Sequence, residues 1–174
     1  MKKNIKENLI YYLILFYIFS FLGGILEISY SLIFRDKLVW GGFMYGMLRP
    51  IYGFGSLILY FIPKKLRKNT IITFITSLII GSVYEYLSSY FLELLFHKQW
   101  WNYNDFFLNI NGRICLLNSL CWGMLGIIFY YILEPITKKI YIKINKKFLA
   151  FTLILLSIYY LIDITISFMK YFIH

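Results

Sequence analysis

The stretch Asn109-Ile-Asn-Gly-Arg113-Ile-Cys-Leu-Leu-Asn118-Ser119-Leu-Cys-Trp122-Gly123 decides how this chain must be read. It opens on a turn signal, Asn111-Gly112, and an arginine follows at once. A long apolar run comes next, with Asn118, Ser119 and Trp122 inside it. In a water-soluble protein this would be a helix start and little more. Here the flanking segments are apolar nearly throughout, so every polar group in the stretch needs a physical reason.

The composition supplies the setting. Of 174 residues, 60% are hydrophobic and only 15% are charged, against about 45–50% and about 25% in a typical globular domain. Several apolar runs reach the ~18–20 residues that cross a bilayer. Disorder and an ordinary soluble fold are excluded. The expected architecture is all-α, a polytopic membrane helix bundle of about five transmembrane helices in a single domain spanning residues 1–174. Ala150 is the one alanine beside 17 Phe and 17 Tyr. That skew suits an AT-rich coding sequence, so the aromatics are not read one by one as functional.

The net charge is +10. A nucleic-acid binder would gather such charge on a polar face. Here it lies in short clusters between apolar runs, the topology pattern of a membrane protein, and no nucleic-acid partner is predicted. Cys115 and Cys121 stand six apart in one helical run, hence on different faces, and do not pair.

The expected spans are residues 8–34, 43–62, 70–96, 114–133 and 148–168. The first comes after a basic N-terminus but is too long for a signal-peptide core of about 7–15 residues, so it is read as a retained helix. The second is irregular. Five glycines, one proline and Arg49 fall within residues 40–55, and the apolar remainder at 51–62 is only about 18 Å of helix. This span is therefore predicted to be broken near Arg49-Pro50 or partly re-entrant, which is tolerated only where protein or a wet cavity covers the backbone. Residues 41–55 form a second candidate centre, the alternative being a kinked structural helix. Glu134-Pro135 is expected to end the fourth span, with a basic linker over residues 138–147.

Twelve lysines and arginines fall on one side of this arrangement and five on the other, with Arg49 embedded. The positive-inside rule then puts the N-terminus inside and the C-terminus outside. The aromatic residues 97–114 would face outward, at headgroup level.

Ionisable groups within the bilayer cost at least ~2.5–3.5 kcal/mol each on insertion scales, so Glu27, Arg49, Glu85 and Arg113 are candidates for a shared polar site. Arg113 is expected within reach of Glu27 or Glu85. Glu93 and Asp163 lie nearer helix ends and are read as structural or interfacial. Asn118, Ser119 and Trp122 share one helical face at spacings of three and four, and Asn109 begins the stretch. That face can hydrogen-bond a ligand or act as helix–helix glue. Gly81, Gly123 and Gly126 are read as close-approach residues. No P-loop, H-E-x-x-H or G-x-S-x-G sequence occurs, and the two histidines are far apart. No catalytic residue, metal or cofactor is predicted.

An ordered set of motifs carries a resemblance over residues 10–135. It comprises Gly24-Ile-Leu-Glu27, Gly42-Phe-Met-Tyr-Gly46, Pro50-Ile-Tyr-Gly53-Phe-Gly55, Glu85-Tyr86, Trp101-Asn-Tyr103, Asn109-Ile-Asn-Gly-Arg-Ile-Cys-Leu and Ser119-Leu-Cys-Trp122-Gly123. Together they resemble the type IV ABC-transporter permease family, small bacterial integral membrane proteins. The chain departs from that pattern at Gly41-Gly42, Gly46-Met47 and Trp101-Asn102-Tyr103-Asn104. The resemblance implies a permease-like transport component in the bacterial cytoplasmic membrane. Its expected partners are the lipid bilayer, a separate ATPase and further copies of itself. Three readings stay open on the residues: transport, a membrane-embedded enzyme or lipid-binding protein using the Glu/Arg cluster, and an assembly factor.

Overall fold

The computed structural model describes the backbone of residues 5–35 and 43–172, and side chains over residues 8–32 and 43–171. The Gly41-Gly42 pair lies outside the described residues. The elements are all helical. In order they are α1 (Ile5–Arg35), α2 (Pro50–Phe61), a 3-10 turn (Lys64–Arg67), α3 (Thr70–Phe96), α4 (Leu116–Ile128), a π segment (Phe129–Leu133), α5 (Glu134–Lys143) and α6 (Lys146–Phe172). Among the described residues four stretches are long and apolar enough to cross a membrane: Asn8–Leu32, Thr70–Phe96, Leu116–Lys143 and Lys146–Tyr171. The shorter α2 brings the apolar helices to five.

The second span has its expected break: it is helical only from Pro50, where the ring's fixed φ suits a first turn, and residues 43–49 before it are irregular. One expectation about boundaries changes. The fourth does not stop at Glu134-Pro135. Helical backbone runs on to Lys143 because the π segment lies directly ahead of the proline. A proline inside an α-helix lacks its N–H and clashes with the carbonyl four residues back. In the widened turn the Glu134 N–H bonds instead to Phe129 O. The basic linker shrinks to a break at Ile144-Asn145, where the Asn145 side chain accepts from the Lys147 N–H and so caps α6.

The chain falls into two compact units. One comprises the residues up to Leu57 and from Thr137 onward. Its core is large and apolar: Ile14, Phe16 and Tyr17 of α1 pack with Leu48 and with Leu149 and Leu153 of α6. The Tyr17 hydroxyl donates to Ser157 Oγ at 2.8 Å, and Phe16 meets Tyr160 edge to face.

The other unit, Ile58–Ile136, is built the opposite way. The face of α3 buried against α4 is small and polar: Thr73, Ser77, Gly81, Glu85 and Ser89, every fourth residue. The outer face carries Ile71, Ile75, Ile79, Val83, Leu87 and Phe91, all exposed. A soluble helix buries its large apolar side chains; this one turns them outward, which is stable only where hydrocarbon meets them. The small inner face lets the helices close. A Cβ on Gly81 would lie 2.5 Å from the Trp122 ring, and one on Gly126 would meet Ser77. Asn69 caps the start of α3 by accepting from the Ile72 N–H, and His97 ends it in the left-handed region.

Candidate functional site

Residues 97–115 fold back over the end of the α3–α4 hairpin. Asn111 and Gly112 both have positive φ, and the Arg113 N–H bonds to Ile110 O, as in a type I′ turn. The Tyr103 N–H bonds to Gly112 O at 2.8 Å, so the loop's two arms pair across this turn. The Asn109 side chain donates to Asn104 O and Phe106 O and accepts from the Gly112 N–H. Asn109 is thus a loop-shaping residue. The Trp101 indole donates to Arg113 O at 3.0 Å, which ties the loop to the start of α4.

This geometry delivers Tyr103 to Glu85. The Glu85 side chain is buried, with 5% of its surface exposed. Its Oε1 accepts from the Tyr103 hydroxyl at 3.0 Å and from Asn118 Nδ2 at 3.1 Å. Its Oε2 accepts from the Trp122 indole at 2.7 Å. Asn118 Nδ2 also donates to the Tyr103 oxygen at 2.5 Å. The carboxyl therefore has three neutral donors, from the loop and from one face of α4. Ser119, on the same helix, meets Ser82 instead, at 2.8 Å. The position of Tyr103 in the sequence does not single it out. Only the turn at Asn111-Gly112 hints that this loop doubles back.

Arg113 does not join that cluster. Its Nη1 donates to Glu93 Oε2 at 2.5 Å and to Ser89 Oγ at 3.3 Å, and its guanidinium lies over the Tyr90 and Tyr86 rings. Gln99 also donates to Glu93. The expected partners were Glu27 or Glu85. The turn instead sets Arg113 toward the C-terminal end of α3, beyond Glu85 on the same stripe.

In the other unit Glu27 pairs with Arg49, whose Nε stands 2.6 Å from Glu27 Oε2. Arg49 is buried, and its Nη1 donates to Gly46 O at 2.6 Å. Asp163, also buried, accepts from the Tyr45 N–H at 3.0 Å and the Gly46 N–H at 2.9 Å. Gly46 is thus held on both sides, by a carboxylate at its N–H and a guanidinium at its C=O. These charges satisfy the irregular backbone of residues 43–49, which hydrocarbon could not. Asp163 was expected to be structural or interfacial; its place here is a buried acceptor for main-chain N–H groups.

Among the described residues no group of three His, Cys, Asp or Glu side chains is placed to hold a metal ion. The eight residues picked out from the sequence thus divide into Glu85 with Asn118 and Trp122, Glu27 with Arg49, and Arg113, Ser119 and Asn109 each in contacts of their own. No curated protein and no solved structure matches the chain. The family model described as "Putative ABC-transporter type IV" matches residues 14–168, nearly the whole length, and the chain belongs to that family.

Proposed function

We propose that the chain is the membrane-embedded, permease-like component of a transport system and works with a separate ATPase. Membership of a family described as ABC-transporter supports the transport reading, and these 174 residues carry no P-loop sequence with which to hydrolyse ATP themselves. The observation that carries the reading is Glu85. A carboxyl buried on the inner face of a membrane hairpin, held by neutral donors and facing away from lipid, is the kind of group that marks a substrate or ion pathway. In this reading the irregular residues 43–49 and α2 together complete a crossing, and the protein sits in the bacterial cytoplasmic membrane with its N-terminus inside.

The test is coexpression with an ATPase encoded beside the gene. The two should copurify, and vesicles holding both should show ATP-dependent uptake or export that Glu85→Gln removes at unchanged protein abundance. Neither copurification nor ATP-dependent movement in either direction would end the ABC reading. The loop tip favours a second reading, a lipid-binding protein: Phe107, Leu108 and Ile110 are exposed there. A specific lipid that copurifies and is lost when these three residues become serine would favour it.

A further inference from the structure

We propose that Glu85 is a proton-binding site with two hydrogen-bond arrangements, exchanged by rotation of the Asn118 amide. In the arrangement described, Glu85 receives three donors and faces no acceptor, the pattern that suits a charged carboxylate. Among the described residues no cation pairs with it: Arg113 is engaged by Glu93 and Ser89. A buried charge without a partner is costly, and a proton on Oε1 removes that cost. The proton then needs an acceptor, and the Tyr103 oxygen, 3.0 Å away, is the atom in reach.

Tyr103 must then send its own proton elsewhere. Its neighbour at 2.5 Å is the Asn118 amide nitrogen, which cannot accept. A half-turn of that amide presents Oδ1 in place of Nδ2. The rotation gives up the Nδ2 bonds to Glu85 Oε1 and to Tyr103 and the weak Cys115 thiol donation to Oδ1, a loss that removal of the unpaired buried charge offsets. In the neutral arrangement Glu85 donates to Tyr103 and Tyr103 donates to Asn118 Oδ1. The Trp122 N–H stays on Oε2 throughout. One proton enters from water, the carboxylate becomes a carboxylic acid, and no other bond is made or broken. Tyr103 belongs to the loop that carries the exposed Asn102 and Asn104, so water reaches the pair from the loop side.

The other titratable and charged groups around Glu85 are few. Tyr84 and Tyr86 flank it on α3, and Glu93 lies two turns later. The loop brings Arg113, and α4 brings the buried Cys115 and the exposed Cys121. The proposal is independent of the transport reading, because the proton binds whether or not an ATPase partner exists.

The experiment is infrared difference spectroscopy of the full chain in lipid vesicles with carbon-13 glutamate, scanned up to about pH 9, where buried glutamates can still titrate. The expected result is a label-sensitive carboxylic-acid C=O band that grows as pH falls and is missing in Glu85→Gln. Trp122→Phe removes a donor that favours the charged form. The midpoint should then rise by about one to two pH units, the worth of one hydrogen bond to a charged group. Tyr103→Phe removes the donor to the carboxylate and the acceptor of the acid together, so it should move the midpoint by less than Trp122→Phe, whereas a merely structural tyrosine would lower stability and leave the midpoint in place. These two variants keep the proposal testable if Glu85→Gln does not fold. No titrating labelled band in the wild type, a band surviving in Glu85→Gln, or an unmoved midpoint in both phenylalanine variants overturns it.

Discussion

Asp163 and Glu85 are both buried carboxylates in apolar helices, and they are held in opposite ways. Asp163 accepts from the main-chain N–H groups of Tyr45 and Gly46. Glu85 accepts only from side chains, those of Tyr103, Asn118 and Trp122. A carboxylate bound to backbone is part of the scaffold, since removing it leaves N–H groups that hydrocarbon cannot satisfy. A carboxylate bound to side chains can lose its charge without any backbone group losing a partner. The contrast separates an ionised group that builds the fold from one that the fold is built around.

The contrast can be broken most directly from the scaffold side. Arg49→Ala strands the Glu27 carboxylate and the Gly46 carbonyl together, and should cost about 3–5 kcal/mol in a reversible unfolding titration in detergent. Asp163→Ala orphans two backbone donors that each lose a bond to a charged group, and should cost roughly 3 kcal/mol by the same measurement. If either variant is as stable as the wild type, residues 43–49 are not held by these charges. Gly81→Val tests the small inner face of α3. Its new side chain must displace the Trp122 ring, for a cost of about 1–3 kcal/mol.

Glu85→Gln should behave differently. The amide keeps the shape of the carboxyl and can donate to Tyr103 as the protonated acid does, so a loss under about 1 kcal/mol is expected while vesicle transport disappears. A transport-competent Glu85→Gln would remove the difference between the two carboxylates. The smallest effect belongs to Ser119→Ala, which deletes one hydrogen bond to Ser82 between helices. It should cost about 0.6 kcal/mol and leave transport unchanged.

The features legible in the chain are those set by helical period. The i+4 run of Thr73, Ser77, Gly81, Glu85 and Ser89, and the shared face of Asn118 and Trp122, come from 3.6 residues per turn and need no knowledge of neighbours. Apolar run lengths give the all-helical membrane class in the same way. The illegible features depend on where a loop lands or on which backbone atoms need partners. Arg113 was expected beside Glu85 or Glu27. Its level on α3 is set by the His97 cap and the turn at Asn111-Gly112 acting together. Tyr103 reaches Glu85 through the same loop. The partners of Asp163 are hidden because they are main-chain N–H groups, which leave no trace in a side-chain pattern. Pro135 reads as a helix end because a proline shows its own constraint and not the widened turn ahead of it.

That widened turn also sets the phase of the helix beyond it. A π turn holds one residue more than an α turn, and one residue is about 100° of rotation. Every side chain after Leu133, Lys138, Lys139 and Lys143 included, therefore points about a quarter-turn away from where an unbroken α-helix would aim it. The five residues Phe129–Leu133 act as a keyway: deleting one of them would cut the backbone back to regular pitch, force the Pro135 ring against the preceding turn, and swing the lysines to a new bearing.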